Sequence, residues 1–271
     1  MGKALFFDID GTLVNFQGKM PESAKHALLQ VQKKGHLIVI CSGRSICQIY
    51  PWLMDMKFDG IIAAAGAYVE YDHQAVCDYH MDKKTVALVC SLLDEAHALY
   101  SAQTRNRIIM TKDCKKSIDS KFRSMCVDRD VVEQVNKCVL IDEHLEQHQN
   151  IEKIIFFDSK IPIAILRQRL KECCDVTEIS FNLPTESDGE ISCKGINKAF
   201  GIQKFIEHAG IAREDTVAFG DGPNDFDMMA YAHVGVAMGN AIEDIKKQAD
   251  YVTTGIDEDG IEHALQELGL L

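Results

Sequence analysis

The chain has 271 residues, of which 46% are hydrophobic, and 41 acidic residues against 29 lysines and arginines leave a net charge of -12. That composition is ordinary for a folded chain of one or two domains with a large core, and it excludes disorder. The acid surplus argues against nucleic acid as a partner, since duplex binding needs a positive field, yet a local site for a small anion stays compatible with it. No apolar run approaches the ~20 residues of a membrane span, and the start of the chain lacks a secretory-signal pattern. The ten cysteines are scattered, with no C-x-x-C pair and no His/Cys cluster at zinc spacing, so a reduced, cytoplasmic protein free of the membrane is expected.

The stretch from Lys3 to Leu13 organises the rest. Ala4-Leu5-Phe6-Phe7 is apolar without alternation, the pattern of a strand buried on both faces of a parallel sheet. Asp8, Asp10 and Gly11 end it, and in an open α/β sheet ligands gather beyond the carboxyl ends of strands. Two carboxylates so close repel each other unless a cation lies between them, and a divalent metal is the usual one. A strand followed by a solvated acidic turn is the plainer alternative for a bare D-x-D.

Phe7-Asp8-Ile9-Asp10-Gly11-Thr12-Leu13 resembles the first motif of the haloacid dehalogenase superfamily of phosphotransferases. A helix follows over Pro21 to Lys34, then a second buried strand over His36 to Cys41 ending at Ser42-Gly43-Arg44. Ser42 matches the superfamily's second motif, a hydroxyl that binds the phosphoryl group, with Gly43 allowing a close backbone N–H and Arg44 a further candidate for substrate. A helix is expected from Ser45 onward, and Ser42 as an ordinary cap is the alternative. The third strand, Ile61 to Ala65, ends in Ala65-Gly66-Ala67, where sugar-phosphatase-like members of the superfamily usually carry Asn-Gly-Ala. Short strands are expected over Tyr68 to Tyr71 and Ala75 to Tyr79.

From about Met81 to about Gly189 the pattern changes and no motif chemistry appears. Helices are expected around Val86 to Ala96 and over Ile163 to Leu170, and strands over Arg107 to Met110, Ile154 to Phe157 and Val176 to Phe181. Asp113 to Asp130 is charged and poorly periodic and reads as loop with some helix. The size of the block resembles the α/β cap inserted in the Cof-type branch, so residues 82–189 are expected to be that cap and residues 1–81 and 190–271 the core.

The motifs resume after it. Lys198-Ala199-Phe200-Gly201 fits the lysine motif, with Lys194 a competitor one helical turn earlier. Thr216 to Phe219 is a buried strand that delivers Gly220-Asp221-Gly222-Pro223-Asn224-Asp225, the fourth motif, with a helix expected over Asp225 to Tyr231. Two further strands, Val234 to Met238 and Tyr251 to Thr253, a helix over Ala241 to Ala249 capped by Asn240, and a last helix over Ile261 to Leu268 complete the core.

The resemblance implies an α/β fold: a Rossmann-like parallel-sheet core of the haloacid dehalogenase kind with an inserted α/β cap that chooses the substrate. It implies an Mg2+-dependent phosphatase acting on a small phosphorylated metabolite, a sugar phosphate before others. In that scheme Asp8 is the nucleophile that takes up the phosphoryl group. Asp10 is the acid and base, and Lys198 the charge stabiliser. Ser42, Gly43, Arg44 and Asn224 face phosphate or substrate. Asp8, the Asp10 carbonyl and Asp221 hold Mg2+, with Asp225 and Asn224 orienting them. Thr stands at position 10 in the superfamily's ATPases, so Asp10 points to ester hydrolysis. A phosphomutase, and a non-catalytic phosphoacceptor or sugar-phosphate sensor, are the alternatives.

Overall fold

The structure is a computed structural model that describes residues 2–15, 17–124, 129–179 and 186–271. In chain order the first elements are β1 (Ala4–Phe7), α1 (Glu22–Lys33), β2 (Leu37–Cys41), α2 (Pro51–Met54), β3 (Gly60–Ala63), β4 (Tyr68–Tyr71) and β5 (Gln74–Asp78). Then come α3 (Lys83–Glu95), β6 (Leu99–Gln103), β7 (Ile108–Met110), α4 (Lys112–Ser124), α5 (Arg129–Cys138), β8 (Val139–Ile141), β9 (Lys153–Phe157), α6 (Ile163–Leu170), β10 (Cys174–Glu178) and β11 (Gly189–Cys193). The chain closes with α7 (Lys198–Ala209), β12 (Thr216–Gly220), α8 (Phe226–Tyr231), β13 (Val234–Ala237), α9 (Glu243–Gln248), β14 (Tyr251–Val252) and α10 (Gly260–Glu267).

These elements form two compact units. The first takes the chain up to Gly43, Pro51–Cys77 and Asn197–Leu271. Its sheet runs β14-β13-β12-β1-β2-β3-β4-β5. Pairing is parallel from β14 through β3 and turns antiparallel at β3–β4. This is the Rossmann-like α/β architecture expected. β1 lies between β2 and β12, and every residue of β1 and β12 is buried, which is why both read as unbroken apolar runs. Phe7 and Phe219 are register partners and stack at 4.5 Å, and the Asp8 N–H continues the ladder to the Phe219 carbonyl at 3.0 Å. That register carries Asp8 to the same sheet edge as Gly220 and the turn after it.

The second unit holds Arg44–Tyr50 and Asp78–Ile196. Its sheet order is β10-β11-β9-β6-β7-β8, antiparallel except for β7 with β8. Tyr100, Ala102, Ile154, Phe156 and Ile191 project from one face into a core with Val89, Leu93 and Leu166. β11 pairs with β9 and β10, so the chain re-enters the first unit at Asn197, later than the boundary at 190 read from the motifs.

Two expectations are corrected and one lies beyond the described residues. No continuous helix starts at Ser45: a short 3-10 turn covers Ile46–Gln48, and α2 begins only at Pro51, whose ring disfavours helical geometry in the residue before it. The charged stretch that begins at Asp113 is helical up to Ser124, as α4, because an exposed helix needs only a narrow apolar stripe; Cys114 alone is fully buried on it. The expected strand end at Ser180 and Phe181 lies outside the described residues, β10 being observed to Glu178.

Candidate active site

The chemistry gathers at the carboxyl edge of the parallel sheet. Asp8 follows β1, Ser42 follows β2 and Asp221 follows β12, while Lys198 opens α7. Asn197 caps that helix through Oδ1, which accepts from the Phe200 N–H at 2.9 Å. A lysine at a helix N-terminus opposes the helix dipole, so something stronger must hold it there. It is held by two carboxylates: Lys198 Nζ donates to Asp8 Oδ1 and to Asp225 Oδ1, both at 2.6 Å, with all three side chains buried. The K-x-x-G spacing has a packing cause. A Cβ on Gly201 would stand 2.4 Å from the Ile62 side chain and 3.1 Å from the Gly66 Cα, so glycine lets α7 approach the end of β3. Lys194, the competitor, is exposed and pairs with Asp175 in the second unit.

The turn after β1 is fixed from both sides. Gly11 has φ +84, and a Cβ there would lie 2.1 Å from Asp221 Oδ2, so both backbone and neighbour require glycine. The Gly11 N–H donates to the Val14 carbonyl at 2.8 Å, and Thr12 Oγ1 donates to Asp221 Oδ1 at 3.1 Å. Asp225 is committed throughout: its Oδ2 accepts from the N–H groups of Asp221 and Gly222, each at 2.9 Å, while Oδ1 accepts from Lys198.

Asp8, Asp221 and Asp225 bring carboxylate oxygens within 4.8 Å of one another. Burial raises Asp8 to about 7 against the pull of Lys198, with Asp225 and Asp10 adding to the rise. Burial likewise lifts Asp221 to about 8, helped by Asp8 and Asp225 and opposed by the Thr12 hydroxyl. Burial works against the charge of Lys198, but Asp225 and Asp8 outweigh it and hold the ammonium above the ordinary lysine range. The cluster is therefore short of positive charge, and its all-oxygen donor set fits a hard divalent cation. With both oxygens of Asp225 occupied, Asp8 and Asp221 are the side chains suited to ligate it, and Asp225 sets the turn that carries Asp221.

The remaining expected residues are placed as follows. Asp10 has an exposed side chain outside the carboxylate trio. Ser42 is buried, donating its N–H to the Ile62 carbonyl, while its own carbonyl accepts from the Ala65 N–H at 3.0 Å. Gly43 is the last residue of its segment of the first unit, and Asn224 sits in the Pro223–Asp225 turn. Arg44 belongs to the second unit, where its guanidinium donates to the Gln48 carbonyl at 2.9 Å and lies 4.7 Å over the Tyr50 ring. Ala65 holds φ 54, a left-handed geometry that asparagine tolerates better than alanine.

Asn240 is a correction. It does not cap a helix; α9 begins at Glu243 after Ile242. Its Nδ2 donates to the Gly11 carbonyl at 2.8 Å and its Oδ1 accepts from the Ile256 N–H at 2.9 Å. Its place after β13, another parallel strand ending at this edge, was the available signal.

Residues 5–265 match the haloacid dehalogenase-like hydrolase family. The chain is 31% identical to the "Putative phosphatase YkrA" of Bacillus subtilis (strain 168), over 99% of this chain and 98% of that one. It is 26% identical to the 5-amino-6-(5-phospho-D-ribitylamino)uracil phosphatase YcsE of the same organism, over 97% and 94% of the two chains. Among solved structures, the haloacid dehalogenase subclass IIB sugar phosphatase BT4131 is 29% identical and superposes with a TM-score of 0.81 over 99% of this chain and 100% of that one. The chain belongs to the haloacid dehalogenase-like hydrolase family. Within it the chain is a phosphatase of the Cof-like branch, as its motifs suggested.

Proposed function

We propose that this phosphatase is Mg2+-dependent and removes phosphate from a small phosphorylated metabolite, with sugar and polyol phosphates as the substrate class, through an aspartyl-phosphate on Asp8. The observation that carries the reading is the buried bond of Lys198 to both Asp8 and Asp225 beside Asp221. A nucleophilic carboxylate must meet a phosphate dianion, and the two repel. Lys198 offsets that repulsion at one oxygen of Asp8 and orients the other towards phosphorus. Mg2+ held by Asp8, Asp221 and the Asp10 carbonyl would supply further positive charge for the phosphoryl oxygens. Attack by Asp8 forms the Asp8–phosphorus bond as the ester oxygen leaves. Asp10, exposed two residues beyond Asp8, gives that oxygen its proton and afterwards takes one from the water that hydrolyses the intermediate. Ser42 and Gly43 present donors from the next strand, and Asn224 extends the same edge from the fourth motif. We assign substrate choice, including the part of Arg44, to the second unit. The substrate class rests on the motifs and on the names of two relatives, a sugar phosphatase and a ribityl-phosphate phosphatase.

The test is inorganic phosphate release from a panel of sugar, polyol and nucleotide phosphates, with Mg2+ and with EDTA. Metal-dependent release from sugar or polyol phosphates is expected. Equal release in EDTA would overturn the metal, and selective release from nucleotides would overturn the substrate class. Asp8→Asn should abolish release while the fold is kept, and undiminished release would remove Asp8 as nucleophile.

A further inference from the structure

We infer that Asn240 is a positioning residue of this reaction, acting through the backbone of the Asp10–Gly11 turn; the inference rests on the phosphatase reading above. The loop after β13 touches both acid-bearing turns. The Met238 N–H donates to the Gly220 carbonyl and the Ile242 N–H to the Asp221 carbonyl, each at 3.1 Å. Between them, Asn240 Nδ2 donates to the Gly11 carbonyl at 2.8 Å. One short loop thus sets the spacing between the turn that carries Asp10 and the turn that carries Asp221.

The geometry of Gly11 explains why this matters. Its N–H is fixed to the Val14 carbonyl and its C=O to Asn240, so the peptide planes on both sides of it are held. In a trans peptide the C=O and N–H point in opposite directions. The Gly11 N–H is directed at Val14, so the Asp10 carbonyl is directed away from it. Gly11 stands at φ +84 and has no side chain, so the orientation of its C=O is set by hydrogen bonding. Without the Asn240 bond the Gly11–Thr12 peptide plane loses that holder, and the Asp10–Gly11 plane, with the Asp10 carbonyl, is left to the bond from the Gly11 N–H to Val14. The second bond of Asn240, from the Ile256 N–H at 2.9 Å, anchors the amide so that Nδ2 faces Gly11.

The two bonds can be separated by substitution. Asn240→Ala removes both. Asn240→Asp keeps the acceptor for Ile256 but replaces the donor facing Gly11 with a carboxylate oxygen. Asp257→Ala is the control: Asp257, in the loop after β14, accepts from Asn15 Nδ2 at 2.7 Å, tying the stretch after β1 to a neighbouring loop away from Gly11. Turnover of several phosphate esters is measured for each variant beside wild type, with thermal unfolding and, without substrate, Mn2+ titration followed by the electron paramagnetic resonance of free Mn2+. Asn240→Ala and Asn240→Asp should both lose about a hundredfold in kcat, the cost of displacing a reacting group by about 1 Å. KM should move little, Mn2+ should bind more weakly, and the kcat loss should be larger for alkyl than for aryl esters. Asp257→Ala should match wild type in kcat and Mn2+ affinity. A wild-type kcat in Asn240→Asp, or equal losses in Asp257→Ala, overturns the inference and leaves a purely structural tether. If the wild-type protein turns over no ester, the phosphatase reading fails, and the Mn2+ affinities alone decide for or against Asn240.

Discussion

The two units bury charge in opposite ways. In the first, Lys198 is enclosed yet bonded to Asp8 and Asp225, and Asp225 spends its second oxygen on two backbone N–H groups. In the second, Glu152 is enclosed just before β9, and neither of its oxygens has a hydrogen-bond partner of ordinary geometry among the described residues. Its neighbour Lys153 gives its ammonium to Glu190 at 2.8 Å instead. Charge that is fully bonded and crowded at parallel strand ends reads as chemistry. Charge enclosed without a hydrogen bond of ordinary geometry is pushed towards its protonated form by burial.

The largest effect should come from breaking the first cluster. Lys198→Ala leaves two buried carboxylates without their cation and should cost about 3–5 kcal/mol of stability. Phosphatase turnover should fall about a thousandfold, as when a preorganised charge stabiliser is lost. Lys194→Ala, at an exposed residue, should change turnover by less than about twofold. Equal losses in the two variants, read by kcat and chemical denaturation, would erase the distinction drawn between them.

That contrast also marks what was legible from residues alone. Asp8, Asp10, Lys198 and the Gly220 to Asp225 turn were readable because each motif follows an unbroken apolar strand or opens a helix, and strand order then forces their ends together. Asn240 was not, because a polar residue before a helical pattern reads as a cap, a reading that outweighed its place after a parallel strand until the tertiary bond to Gly11 showed otherwise. β6 was missed because Leu99-Tyr100-Ser101-Ala102-Gln103 mixes polar and apolar residues, and both Ser101 and Gln103 prove to be buried. Arg44 was grouped with Ser42 by adjacency, and in the structure it belongs to the second unit, with Gln48 and Tyr50 among its contacts.

A smaller effect should follow from Asp10→Asn. A positioned acid contributes about 10²–10⁴-fold, and mainly where the leaving group is poor. Alkyl phosphates should lose that factor, and p-nitrophenyl phosphate, whose leaving group needs little help, far less. Equal losses on both would remove Asp10 as the acid.

pH and metal probe the same cluster without mutation. Asp8 at about 7 and Asp221 at about 8 are raised above the ordinary carboxyl value of 3.8 by burial first. The folded protein then holds protons that the unfolded chain has already released, so stability falls as pH rises from that ordinary value through the folded values. In EDTA the unfolding temperature should decline from about pH 5 to about pH 9. Mg2+, which competes with those protons, should raise it more at the upper end than at the lower. A Mg2+ shift that shrank with pH would contradict a cluster short of positive charge.

The smallest change belongs to the second unit. Burial raises the Glu152 carboxyl, while Ser45, Arg105 and Lys153 pull it back. Ionising it inside the unit strands a charge, so wild-type stability should be lost as pH rises through its folded pKa. Glu152→Gln keeps the shape and removes the titration. The variant and the wild type should therefore be equally stable in acid, and the variant should gain about 1 kcal/mol at alkaline pH, the order of one unsatisfied buried polar group. Denaturant midpoints across pH measure this directly. A variant that is less stable than wild type at alkaline pH would mean that the carboxylate is bonded after all, and the contrast between the two units would then lie in the identity of the partners and not in whether the charge has any.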